Sequence, residues 1–241
     1  MNRVVSLVSK RLLNQQENLV TRLVKWIPGK LGTWLRQLIY SSLLKQAGEP
    51  IAIGLGSQFR GTDWIELGNE VCVDCNVYID ALANVHFPQQ VQSVNGSPDT
   101  RIFLEDSVVL NEGVEVRVHQ GSQIEIGQAT QIGSHCRLLA NKCIKIGKNC
   151  QIGSHSSFCA VRPNLAKLFA SIKLEETIGC GIVVEDNCWI GSNVKVLDGI
   201  RIGQGSVIGD DSVVTEDIPP FSVAVGEPAK ILKGLLDEVD V

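Results

Sequence analysis

The sequence predicts a mainly β fold, a triangular prism of stacked coils behind an α-helical head, and three observations carry that prediction. Aliphatic residues recur at a strict step of six, at Val184, Ile190, Val196, Ile202, Ile208 and Val214. Small or branched residues take the fourth place after them, at Cys188, Val194, Ile200, Ser206 and Ser212, and Gly191, Gly203 and Gly209 follow three of the aliphatics directly. The 241 residues are 44% apolar but only 5% aromatic, so something other than aromatic packing fills the core.

The first element is a basic head over residues 1–49. Val20, Leu23, Val24 and Ile27 recur at helical spacing, and Pro28-Gly29 then breaks the pattern. Leu31, Trp34, Leu35, Leu38 and Ile39 follow on one face of a second helix, which ends before Gly48-Glu49-Pro50. Residues 1–47 hold eight cations against one acid, Glu17. This charge of +7 leaves −11 on the remaining residues out of a net −4. The apolar faces can pack on the body or on a neighbouring subunit. As a basic amphipathic pair they can also rest on an anionic bilayer, with Trp26 and Trp34 near its interface.

The body runs from 50 to 241. The same hexad appears upstream at Leu67, Val73 and Ile79, at Leu104, Leu110 and Val116, at Ile126, Ile132 and Leu138, and at Ile146, Ile152 and Phe158. A six-residue step is too short for a helix and too regular for a hairpin protein. It fits three short strands making one triangular turn, with one aliphatic per side pointing inward and the small fourth-place residue relieving crowding at the bend. Turns stacked about 4.8 Å apart through parallel pairing make a prism roughly 34 Å tall for seven turns. Loops at 80–101 and 159–183 interrupt the count, and 215–241 reads as a closing segment.

This spacing, with VVEDNCWIGSNVKVLDGIRIGQGSVIGDDSVVTEDIPPFSVAVGEPAKILK at 183–233, resembles the hexapeptide-repeat acyltransferases. The resemblance covers about residues 50–235. It implies a left-handed parallel β-helix whose closing EDIPPFSVAVGEPAK gives a strand and a short C-terminal helix. A helical head before the first coil is similar to the branch that acetylates sugars in polysaccharide synthesis. Members of the family work as homotrimers, with acyl-CoA in a groove between prisms and a histidine as general base on the acceptor hydroxyl. The implied activity is acyl-CoA-dependent O-acyl transfer, with acetyl-CoA or another acyl-CoA as co-substrate and a sugar or glycan as acceptor. Trp189, in the D-x-x-W-I-G wording, borders that groove by resemblance. The backbone around Ser206 and the Pro228-Ala229-Lys230 segment would meet the pantetheine and nucleotide parts of CoA.

One part of the pattern is missing. An alcohol is a poor nucleophile at neutral pH and needs a base of suitable pKa within hydrogen-bond reach. Where the family carries its histidine, this chain reads Val161, Arg162 and Pro163. His155 is the substitute candidate, but its six-residue offset puts it on a different side of the triangle. His135 holds the equivalent corner one coil earlier, so the two rings should stack about one strand spacing apart. His119 follows Val116 in a turn, and His86 belongs to the insertion. The histidine spacing of a zinc site shared across subunits is absent, and no metal is expected. Cys136, Cys150 and Cys188 take fourth, inward places, while Cys72 and Cys75 flank the inward Val73 and point in different directions. Pro163-Asn164 begins a candidate helix carrying Leu165, Leu168, Phe169 and Ile172, either a lid for an apolar acceptor or a plug in a disused site.

No stretch reaches eighteen consecutive apolar residues, and the first ten lack the unbroken run of a secretory signal. A cytoplasmic protein with reduced thiols is expected, peripheral on the membrane if the head binds lipid. No nucleic-acid partner is expected. The missing histidine keeps a second reading open beside the transferase: a catalytically inactive trimer serving as scaffold or assembly partner.

Overall fold

In the computed structural model, which describes residues 24–82, 100–163, 177–178 and 180–234, the hexads wind into a left-handed parallel β-helix. Three sheets form the sides of the prism. The first runs from Gln46–Ala47 to Arg201–Ile202, the second from Ala52–Ile53 to Lys230–Gly234, and the third from Gln58–Arg60 to Val213–Val214. The repeat sets the register. On the first side Leu67 pairs with Leu104, and Ile126, Ile146, Val184 and Ile202 follow in turn. On the third side the ladder is Ile79, Val116, Leu138, Phe158, Val196 and Val214. These side chains are no more than 1% exposed, so the core is a set of stacked aliphatic columns, interrupted by the ring of Phe158 and, below Ile79 in the first coil, that of Phe59.

The fourth-place residues do more than save space. Thr130 Oγ1 donates to Gly147 O at 2.7 Å, Ser156 Oγ to Gly191 O at 2.9 Å and Cys188 Sγ to Gly203 O at 3.2 Å. Each hydroxyl or thiol therefore satisfies a turn carbonyl of the next coil, which a buried backbone requires. The glycines at these bends are steric necessities. A Cβ on Gly153 would lie 2.5 Å from the carbonyl carbon of Gly191 in the coil above.

Helix α1 (Gly29–Leu43) closes the open end of the stack. In later coils the carbonyl of the second-side aliphatic accepts from the coil before it, as Val73 O does from Gly54 N at 2.7 Å and Ile152 O from Gly133 N at 2.8 Å. Ile53 has no coil before it, and Arg36 Nε donates to its carbonyl at 2.8 Å instead. Arg36 Nη1 also bonds Ile27 O at 2.8 Å and Val24 O at 3.3 Å, tying down the turn that enters the helix. Tyr40 meets the inward ring of Phe59 at 4.6 Å between centroids. The buried face of α1 is thus Gly32, Arg36 and Tyr40, whereas Leu31, Trp34 and Leu38 of the expected packing face are exposed.

Long connections between coils occur at one corner, from the third side to the first: between Asp80 and Arg101, and between Ala160 and Ile182. The base of the second is a short antiparallel pair, Arg162–Pro163 with Thr177–Ile178. Pro163 is therefore extended; the rest of the helix expected after it lies outside the described residues. So do the first 23 residues, with most of the first expected helix, and His86. At the far end Ser222–Val225 pairs antiparallel with Lys230–Gly234. The closing segment EDIPPFSVAVGEPAK, read as a strand and a short C-terminal helix, is thus a strand leading by a tight turn into a second strand; residues 235–241 lie outside the described residues.

Candidate functional site

The three sides differ in charge, which follows from the residue that precedes each inward aliphatic. Side one carries a ladder in which Lys45 and Arg101 each reach Glu66 at 2.6 Å. Burial pushes the Glu66 carboxyl up, but its bonds to the Lys45 ammonium and the Arg101 guanidinium outweigh this and hold it below the usual carboxylate range. Side three pairs Arg60 with Asp80 at 3.2 Å and joins Glu115 to Arg117 and Arg137. Side two is uncharged at the corresponding positions: Ala52, Cys72, Val109, Gln131, Gln151 and Trp189 succeed one another in register. On this side burial, and then the Asp74 carboxylate, push the Cys72 thiol up.

A groove of about 290 Å³ lies along side two where it turns toward side three. Asn111, Gln131, Gln151, Ser154, Trp189 and Asp210 are among its lining residues. Trp189 stands 45% exposed, an unusual position for an indole, while its backbone N–H donates to Ser206 O at 3.0 Å. The groove can hold a ligand with apolar surface against the indole and hydrogen-bonding groups along the amide ladder.

His155 follows Ser154 of the groove lining. Its ring stacks on His135 at 5.2 Å between centroids, the spacing read from the equivalent corner positions. Both residues have left-handed backbone, φ 61° and 58°, set by the corner turns they occupy. The six-residue offset that moves His155 away from positions 161–163 brings it beside the side that carries Trp189. Ser206 is buried, and its hydroxyl donates to Pro219 O at 2.7 Å, so it holds the closing segment. Lys230 is exposed at the start of the closing strand, opposite Val225, and is not among the residues lining the groove. Trp189 and Ser206 are thus adjacent through backbone, and Lys230 stands apart from them. Cys136, Cys150 and Cys188 are buried as read, and Cys72 and Cys75 are free thiols. Among the described residues no three His, Cys, Asp or Glu side chains converge as a metal cluster would.

Asp198 escaped the sequence reading. Its buried carboxylate accepts the backbone N–H groups of Cys180 at 2.8 Å and Gly181 at 2.9 Å, anchoring the point where the second long connection rejoins the stack. The only sequence signal is an acid two places after Val196, where the earlier coils carry Ala81, Val118, Ala140 and Ala160.

Residues 181–216, which include Trp189 and Asp198, match the bacterial transferase hexapeptide family, described as six repeats. Over that stretch the chain carries the repeats of this family. Over 60 residues it is 53% identical to a "putative acetyltransferase" of Schizosaccharomyces pombe, covering 25% of this chain and 29% of that protein. Over 53 residues it is 47% identical to the 2,3,4,5-tetrahydropyridine-2,6-dicarboxylate N-acetyltransferase of Clostridium perfringens, 22% of each chain. The hexapeptide-repeat match thus spans under a third of the length of these curated relatives. Among solved structures, AntD, an N-acyltransferase from Bacillus cereus, superposes with a TM-score of 0.53 at 14% identity, covering 83% of this chain and 87% of that one. LpxA, a UDP-N-acetylglucosamine acyltransferase from Bacteroides fragilis, does so with 0.57 at 17% identity, covering 78% and 62%. At these identities the superpositions establish the fold of this hexapeptide-repeat chain.

Proposed function

We propose that the protein is an acyl-CoA-dependent O-acyltransferase that moves an acyl group, acetyl in the simplest case, to a hydroxyl of a sugar or glycan. The observation that carries this reading is the exposed Trp189, set in a groove on the uncharged side of the prism and within the stretch that matches the transferase repeats. The acetyltransferase names of the relatives support acyl transfer, and the AntD complex with 3-hydroxybutyryl-CoA supports an acyl-CoA donor. The sugar-nucleotide acyltransferase LpxA supports a sugar acceptor.

In the proposed reaction the acceptor hydroxyl oxygen attacks the thioester carbonyl carbon as its proton passes to a base. Collapse of the tetrahedral intermediate then breaks the C–S bond, and CoA leaves as the thiol with that proton. His155 is the proposed base, since its neighbour Ser154 lines the groove that holds Trp189. Trp189, the backbone around Ser206, and Lys230 are the proposed CoA contacts. The proposed assembly is a homotrimer in which the uncharged side two meets the next copy. The basic residues 1–47 are proposed to rest on an anionic membrane at its cytoplasmic side; among the described residues no helix is long and apolar enough to cross one.

Calorimetric titration with acetyl-CoA tests the reading. Binding is expected, together with a loss of turnover of roughly 10²–10⁴-fold in His155→Ala at unchanged CoA affinity. No measurable CoA binding would overturn the transferase and leave the inactive scaffold. Light scattering should give three chains per particle, and a monomer at micromolar concentration would remove the shared groove.

A further inference from the structure

We propose that α1 is a foot on which the prism stands end-on against an anionic bilayer, with Leu31, Trp34 and Leu38 as the buried sole. This rests on the membrane reading above and adds which surface binds and which way up the molecule is held.

The helix is amphipathic the wrong way round for a packing element. Successive residues advance about 100° around a helix, so Gly32, Arg36 and Tyr40 share one stripe, which is buried. Leu31, Trp34 and Leu38 fall on the opposite stripe, and they are 64%, 56% and 56% exposed. Trp26, in the turn before the helix, adds a second indole at 60% exposure.

The direction of that stripe follows from what the other one touches. Tyr40 meets Phe59, an inward residue of the first coil, and Arg36 reaches the Ile53 carbonyl at the open end of the stack. The helix therefore lies across the end of the prism rather than along a side, and its opposite stripe looks away along the prism axis. From the first coil, five register steps from Ala52 lead to Trp189. At about 4.8 Å per coil the groove stands roughly 24 Å above the foot.

Charge selects the occupant. Within Val24 to Ala47 Arg36 is buried and Lys45 pairs with Glu66, so Lys25 and Lys30 are the cations left to meet the surface there, with Glu49 the acid beside Trp34 and Leu38; the head as a whole carries +7 on a body of −11. An anionic surface attracts the head and repels the body, which holds the molecule upright. Two copies meeting foot to foot would instead bring two cationic heads together. Leucine and tryptophan flanked by lysine is also the composition of helices that lie in a bilayer interface.

The test uses the full chain with vesicles of brominated phosphatidylcholine containing about a third phosphatidylserine, and with phosphatidylcholine alone. Sedimentation with the anionic vesicles at low salt and release at high salt are expected. The combined Leu31→Gln, Trp34→Gln and Leu38→Gln variant should bind on the order of a hundredfold more weakly. Its circular dichroism should not change, because all three sites are exposed. Bromine should quench fluorescence that disappears in a Trp26→Phe, Trp34→Phe variant and persists in Trp189→Phe. Vesicle binding with quenching of Trp189 would mean that the prism lies on side two, overturning the upright foot while leaving the membrane reading intact. The same separation follows if deleting residues 1–23 abolishes binding and the glutamine variant does not weaken it. Equal binding to neutral vesicles, or no binding at all, would overturn both.

Discussion

Arg36→Met isolates the bond that joins head to prism. Methionine fills similar space and removes the donors, leaving the Ile53 and Ile27 carbonyls, each 2.8 Å from the guanidinium, without their partner. A buried acceptor left unsatisfied costs about 1–3 kcal/mol, which applies in full to Ile53 O and only in part to the half-buried Ile27 O. That cost falls on the attachment of α1 and not on the coils, whose ladders continue without it. Peptide-level hydrogen exchange reads this directly. Amides of Gly29–Leu43 should exchange at least about fivefold faster, while those of Arg101–Ala160 keep their protection. Arg36→Lys retains the charge but reaches fewer carbonyls, and should fall between. Unchanged protection of the helix, or equal loss along the whole prism, would refute the claim that Arg36 stands in for a missing coil.

Further outcomes follow from the same structure. Where His155→Ala leaves turnover unchanged, Val161→His or Arg162→His should raise acyl transfer to a sugar acceptor; no gain from either would show that the missing histidine is not what limits the chain. Phe158→Ala removes a fully buried ring from a column of aliphatics. It should lower stability by about 3–5 kcal/mol in urea unfolding, and a loss under about 1 kcal/mol would contradict a close-packed column. Titration of thiols in the native protein should find the exposed Cys180 early and Cys136 only on unfolding, because burial pushes the Cys136 thiol up to about 11; early reaction of Cys136 would count against that burial. Glu66, held below the usual carboxylate range, contributes stability above its unfolded value of about 4.3. That contribution is lost as pH falls through the folded value. Glu66→Gln should therefore flatten the acid limb of stability, and superimposable acid limbs would sink the assignment.

The core was legible because its cause is local and repetitive. An inward aliphatic every sixth residue needs no partner to identify it, and the Leu67-to-Ile202 and Ile79-to-Val214 ladders pair as read. The orientation of α1 was not legible. Periodicity groups Leu31, Trp34 and Leu38 on one face but cannot reveal that Ile53 lacks a donor, so a buried arginine wins the inner position. The fourth places were read as steric relief, and their donor role appears only when the next coil supplies a carbonyl. In the site, the D-x-x-W-I-G wording marked an indole that is exposed, and the equivalent corners of His135 and His155 predicted their stacking. The engagement of Ser206 with Pro219 and the anchoring by Asp198 depend on segments that return from elsewhere in the chain, which spacing alone does not register.

Two of the three corners of the prism keep their length from coil to coil, while the third accommodates both Asn141-Lys142 alone and the connections ending at Arg101 and Ile182. The division is one of labour along the chain. Every residue of a fixed corner is committed to the vertical ladder, so a single insertion there would shift all side chains of the following strand by one place and turn the core outward. At the third corner the chain can depart and return without disturbing the count. Variation in length is thereby confined to one edge of a rigid column, and the two long excursions leave that edge three coils apart, roughly 14 Å. Either excursion can be rewritten while the ladders that hold Trp189 and the histidine pair stay as they are.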